Sequence, residues 1–363
     1  MRKSRKFLAL AMASVMALSM TACGGSSSES TTAAAAADTT AAAESEAKTE
    51  GGSESSAPAA DATVYKLGTT VNEQDSFQVA AEKFAELVQE RTNGAYVIEI
   101  YPNGTLGGER DMLESMQMGT GTLDLGIITS GPFVNFSADM GVLDMPFLFS
   151  SNEDVYKILD GEIGKDLLKS LESSNLKGLA YAERGFRNLT NSVRPVEKAD
   201  DVKDLKIRVM ENEVYTASFK AMGVNAVPMA WNDALTGLQQ NTIQGQENPI
   251  NVIYSYKLWE SQKYATLTRH AYASAIITMS LDTYNSLPED VQKIFDEAAQ
   301  EAAEYERNWT AEHEAEQLQA MKDNGMEVVE TPDLESFQAA VQSVYDAYPQ
   351  YADYITRIQE ALA

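Results

Sequence analysis

Between Val64 and Ile128, three short β-type runs, Val64–Thr69, Tyr96–Tyr101 and Leu123–Ile128, are separated by two stretches of helical spacing. In the first stretch, Ser76–Arg91, the residues Phe77, Ala81, Phe84 and Val88 recur on one face, and Asn93-Gly94 supplies a stop. The second is Arg110–Met118. A β-α-β-α-β order predicts a parallel, doubly wound sheet with a ligand crevice at the carboxyl ends of its strands. The loops there are 70–74 and 129–133, which makes Glu73 and Ser130 candidate partners for ligand hydroxyls; a solvated loop carboxylate is the alternative for Glu73.

At 363 residues the chain can build two lobes. Asp144–Phe149 reads as a further strand and Asn152–Leu171 as one amphipathic helix. A second lobe then opens at Leu176, with a strand at Gly178–Tyr181, a turn at Arg187, a strand at Leu205–Val209 and helices at Glu211–Met222 and Trp231–Gln240, the last capped near Asn232. Tyr272–Ser280 reads as a strand returning to the first lobe, the kind of crossing that makes a hinge. Pro288–Asp323 is a helix on the order of 50 Å long, with Trp309 packed rather than reactive. Met326–Val329 is an edge strand, and helices rich in tyrosine fill Leu334–Leu362.

Arg2, Lys3, Arg5 and Lys6 precede an apolar run, Phe7–Met20, shaped as a secretory signal and short for a membrane span. It ends beside Cys23, the single cysteine, which suggests a lipoprotein acylation site although Met20 stands where leucine is usual. An incidental cysteine is the alternative. Residues 24–60 hold too little apolar surface to fold and read as a tether. The division is therefore 1–23 signal, 24–60 tether and 61–363 binding module, with lobe I about 61–175 plus returning segments and lobe II about 176–271. The formal charge of −26 argues against nucleic acid and anionic lipid surfaces, and makes any buried arginine informative.

Glu183–Ser192 contains Gly185-Phe186-Arg187, Leu205–Val209 carries Arg208, Pro228-Met229-Ala230 precedes Trp231, and Gly245-Gln246-Glu247-Asn248-Pro249 closes the series. Leu205, Ile207 and Val209 alternate with Lys206 and Arg208, so the Arg208 guanidinium projects from a sheet edge toward one face. A planar fork of donors is suited to a carboxylate, although a structural ion pair is the alternative. No nucleophile elbow, phosphate loop or zinc-ligand spacing occurs, and the two histidines are His270 and His313; only a chance carboxylate pair would suit glycoside hydrolysis.

Together with Tyr101–Arg110 and Leu287–Gln292, these runs resemble the DctP family, the substrate-binding proteins of tripartite ATP-independent periplasmic (TRAP) transporters, over nearly all of the chain from about Thr63. The resemblance implies an α/β, two-lobe periplasmic-binding-protein-like fold with a hinge and a long bracing helix. It implies that Arg208 binds the ligand carboxylate, Arg187 assists, Asn248 contacts the ligand and Trp231 lines the pocket, while Glu247 and His270 orient Arg208. Gln244 departs from the family's usual aspartate. Hinge closure would bring Glu73 and Ser130 onto ligand hydroxyls. The implied partners are a small organic acid and TRAP membrane permease subunits, with no cofactor, metal or catalysis, and the location is extracytoplasmic and lipid-anchored. The Gly-Phe-Arg-Asn-Leu-Thr-Asn-Ser run is similar to that of members binding sugar acids such as uronates; a C4-dicarboxylate receptor and a sensing ectodomain without a permease are the alternatives.

Overall fold

The computed structural model describes Ala59 and residues 61–363; the leader, Cys23 and all of the tether except Ala59 fall outside them. The strands are β1 (Thr63–Gly68), β2 (Tyr96–Tyr101), β3 (Leu125–Thr129), β4 (Leu176–Asn191), β5 (Lys206–Val209), β6 (Asn225–Pro228), β7 (Gly245–Asn248), β8 (Tyr264–Ser280) and β9 (Glu327–Val329). The α-helices are α1 (Ser76–Arg91), α2 (Glu109–Gln117), α3 (Asn152–Leu159), α4 (Glu162–Ser170), α5 (Glu213–Ala221), α6 (Trp231–Gln239), α7 (Ile250–Ser255), α8 (Leu281–Ser286), α9 (Glu289–Asp323), α10 (Leu334–Ala347) and α11 (Ala352–Leu362).

The amino-terminal alternation folds as its periodicity predicts. Phe77, Ala81, Phe84 and Val88 bury one face of α1, and the Asp75 carboxylate caps that helix by accepting from Phe77 N at 3.1 Å. β1 lies between β2 and β3, parallel to both. A second parallel group, β7-β5-β6, stands at the other end of the sheet. The middle is different: β4 and β8 run antiparallel to each other along most of their length, so the complete order is β2-β1-β3-β8-β4-β7-β5-β6, with β9 paired to β8. The carboxyl-terminal half of β8 pairs with β3, whereas the carboxyl-terminal end of β4 pairs with β7. These two strands thus pass from one parallel group to the other and carry the mechanical connection between them.

Helix α9 spans both groups. Phe295 meets the rings of Phe84, Tyr65 and Tyr96 edge-on near β1 and β2, while Met321 packs in the cluster containing Trp231, Ile253 and Met326. Its 35 residues cover about 50 Å, as expected of the bracing helix. Trp309 stacks on His313 at 4.2 Å, a packing role.

Four expectations need correction. Asp144–Phe149 is no strand: a 3₁₀ turn covers Ala138–Asp144, Pro146 lacks a ladder donor, and Phe147 takes φ 56°. Asn152–Leu171 is broken into α3 and α4 at Asp160-Gly161, where Gly161 serves as the amino-terminal cap of α4. Arg187 lies within β4, not in a turn. Arg208 is not on a sheet edge, because β5 has β7 on one side and β6 on the other.

Candidate functional site

Two buried arginines define the candidate site, and their surroundings differ. On β5, Ile207 and Val209 are fully buried on one side of the strand, which sends Arg208 to the other; it is only 4% exposed. Its Nε donates to the Met229 carbonyl at 2.9 Å, and its Cζ lies 5.5 Å from the Trp231 ring. Among the described residues no carboxylate pairs with it. Burial pulls its pKa down to about 10, opposed at longer range by Glu247, Glu109 and Glu211. A desolvated cation without a counter-ion is costly, and an anionic ligand would relieve that cost.

Arg187 has its counter-ion already. Its Nε and Nη2 grip Glu247 Oε2 and Oε1 at 2.5 and 2.8 Å, and Nη2 also donates to the Glu247 carbonyl at 2.6 Å. The Glu247 carboxylate is held down at about 2: burial pushes upward, but Arg187 and His270 outweigh it. Arg187 is displaced the other way, since Glu247 more than offsets a burial that would depress it. His270 completes the chain, with Nε2 at 3.2 Å from Glu247 Oε2 and Nδ1 at 2.7 Å from Thr268 Oγ1. Glu247 and His270 were expected to orient Arg208; they orient Arg187 instead, because β7 lies beside β4 with Leu189 opposite Glu247. The bend that delivers His270 is a departure of β8 from its ladder with β4, whose register jumps from Ala271 to Thr266 and leaves Arg269 at φ 45°.

The remaining candidates divide. Asn248 is buried on β7, and its Nδ2 donates to Gln246 Oε1 at 2.6 Å. Trp231 begins α6, packs edge-on against Tyr256 at 5.2 Å and forms a wall beside Arg208. The residue at the amino-terminal cap of α6 is Ala230, near Asn232, and no side chain caps the helix there. Ser130 is fully buried after β3, where its Oγ donates to Asp144 Oδ1 at 3.4 Å. Glu73 is exposed and accepts from Asn103 Nδ2 at 3.0 Å, so the structure does not bring it into contact with the arginines. Gln244 shapes the local turn: its Oε1 accepts the Lys206 N–H at 2.8 Å, tying β5 in place. Next to it, Gly245 leaves no room for a side chain, since a Cβ would fall 2.2 Å from the Thr190 carbonyl.

Three further residues interact with the candidate arginines and were not singled out from the sequence. Asp144 accepts from Asn212 Nδ2 at 2.7 Å, and burial pushes its carboxyl up to about 7 against the pull of Asn212 and Arg187. Glu109, at the start of α2, accepts the Thr129 N–H at 2.8 Å and acts on both arginines. Its position in the Gly107-Gly108-Glu109-Arg110 run was the available signal. Tyr215 on α5 has its ring 5.5 Å from Arg187 Cζ, and no local motif announces it.

The comparisons with known proteins agree with this architecture. The family model described as bacterial extracellular solute-binding protein, family 7 (DctP), matches residues 67–351. The 2,3-diketo-L-gulonate-binding periplasmic protein YiaO of Escherichia coli K12 is 38% identical over 81% of this chain and 91% of its own. A TRAP periplasmic solute-binding protein of Polaromonas sp. JS666, solved bound to D-erythronate, is 40% identical with a TM-score of 0.80, over 82% of this chain and 98% of that one. A third, from Sulfitobacter sp. NAS-14.1 with bound β-D-galacturonate, is 30% identical with a TM-score of 0.78, over 82% and 98% of the two chains. This chain belongs to the DctP family of TRAP solute-binding proteins, a family of extracytoplasmic transport receptors with a two-lobe α/β fold.

Proposed function

We propose that this receptor captures a hydroxylated monocarboxylic acid, a sugar acid, with Arg208 as the carboxylate anchor. The observation carrying this reading is the inequality of the two arginines: Arg187 is neutralised by Glu247, whereas Arg208 is buried with no carboxylate partner among the described residues. One uncompensated cation suits one ligand carboxylate. A second carboxylate would meet the neutral Arg187–Glu247 pair and the buried acid Asp144, so a C4-dicarboxylate is the poorer fit. The ligands named for the three relatives described above, D-erythronate, 2,3-diketo-L-gulonate and galacturonate, are hydroxylated acids, while relatives named as C4-dicarboxylate-binding proteins are 32% and 33% identical. Trp231 forms the apolar wall for the carbon skeleton, and Asn248 and Ser130 take its polar groups.

Lobes meeting at β4 and β8 close over the ligand, and TRAP permease subunits receive it from the closed form. Acylation at Cys23 with the 24–60 tether would hold the module at the outer membrane face; mass spectrometry of the cell-derived amino terminus tests it. The ligand reading is tested by melting the module from Ala62 onward against D-erythronate, D-galacturonate and succinate. A specific ligand at about 100 times its Kd adds roughly 2.7 kcal/mol. The sugar acids should raise Tm and succinate should do so less; no shift with any of the three rejects the reading.

A further inference from the structure

Tyr215 is wholly enclosed, 1% exposed, yet its hydroxyl oxygen has no hydrogen-bond partner among the described residues. A buried hydroxyl left unpaired keeps its full desolvation penalty, which calls for a reason. Neighbouring hydroxyls on the same helix show that the fold can satisfy them: Thr216 Oγ1 donates to the Asn212 carbonyl at 2.9 Å and Ser218 Oγ to that of Val214 at 2.8 Å. The Tyr215 ring is held firmly. Asn212 caps α5 by accepting from Val214 N and Tyr215 N at 2.8 and 3.1 Å, and its Nδ2 is itself pinned to Asp144 and to the Gly131 carbonyl at 2.7 and 2.9 Å. Its phenol stands among Asp144, Arg187 and Glu247, and burial keeps it protonated, raising its pKa well above the ordinary value.

We propose that the Tyr215 hydroxyl is a specificity-determining group that hydrogen-bonds a hydroxyl of the ligand, beside the Arg187–Glu247 pair and apart from the carboxylate held at Arg208. This assignment rests on the sugar-acid reading and deepens it: Arg208 selects an acid, and Tyr215 selects a hydroxylated one. A site with a buried group aimed at a ligand hydroxyl rejects the analogue lacking it, because the group is then left unpaired.

The test is Tyr215→Phe, which removes one oxygen and keeps the ring. Titration calorimetry of wild type and variant against D-erythronate, D-galacturonate and succinate, with the ligand-free Tm of each, separates the possibilities. The assignment expects the hydroxy acid bound by wild type to weaken about 10-fold or more in the variant. It also expects succinate binding to be unchanged and the ligand-free Tm to be equal or higher, since the orphan hydroxyl is gone. Unaltered affinity for the hydroxy acid overturns the assignment while leaving the sugar-acid reading intact. Equal weakening for all acids with a lowered Tm also overturns it, in favour of a packing role. If wild type binds none of the three, or succinate alone, the sugar-acid reading falls first and this assignment with it.

Discussion

Arg208 and Arg187 are chemically identical and lie in adjacent parts of one sheet, but removing them should have opposite effects on the empty protein. Among the described residues, Arg208 is contacted by the Met229 carbonyl and the Trp231 face but bonded by no carboxylate, and Glu247, Glu109 and Glu211 act on it only at longer range. Arg208→Met should therefore leave ligand-free stability equal or higher, and should cost about 2–5 kcal/mol of binding, the range for truncating one member of a desolvated charge pair. Arg187→Met leaves the buried Glu247 carboxylate with His270 but without its guanidinium, and should cost about 3–5 kcal/mol of folding stability. Paired denaturation and calorimetry on the two variants check both; a stable Arg187→Met protein would show that the pair is not what holds β4 to β7. The chemical suitability of Arg208 was readable from its strand. Its lack of a partner was not, because the carboxylate expected to serve it is sixty residues from Arg187 in sequence and bonds there instead.

At the scale of elements, the crossing strands and the bracing helix meet at a second buried acidic group. In α9, Glu306 is fully buried; its Oε2 accepts the Glu183 N–H of β4 at 2.8 Å and its Oε1 accepts from Thr310 Oγ1 at 3.0 Å. Glu183 lies at a β4 bulge completed by Gly185 at φ 103° and hydrogen-bonds Tyr156 and Asn152 on α3. Burial first, then the proximity of Glu183, pushes Glu306 up to about 8, and burial pushes Glu183 to about 7. Both carboxyls ionise in the unfolded chain near 4.5, so between that pH and about 8 the folded form holds more protons. Stability should therefore fall as pH rises through this window. Tm should rise on acidification from pH 8 toward 5.5, and Glu306→Gln should flatten that slope; the same slope in the variant would exclude Glu306 as its source. The depressed Glu247 works in the opposite sense, its contribution being lost only as pH falls from 4.5 toward 2. The long helix was legible because 3.6-residue periodicity is local. The bulge was not, because a register shift exists only between two strands.

For the whole molecule, the dominant property is its charge of −26. On the proposed reading, an anionic ligand approaches Arg208 against that field. Screening should therefore help: the association rate for D-erythronate should increase from low to physiological salt, measured by stopped-flow fluorescence. A rate that falls with salt would mean that a local basic channel governs approach.

Length, periodicity and motif order determined the class of fold, the β-α-β-α-β alternation that opens the module and the choice of Arg187 and Arg208 as candidates, because each depends on neighbours a few positions apart. Tertiary structure alone decided that two long antiparallel strands join the parallel groups, that Glu247 serves Arg187 rather than Arg208, and that Tyr215 stands with its hydroxyl unpaired. Those facts arise from contacts between segments distant in sequence. In a dry interior, the nearest counter-charge determines which arginine is paired and which is left without a carboxylate.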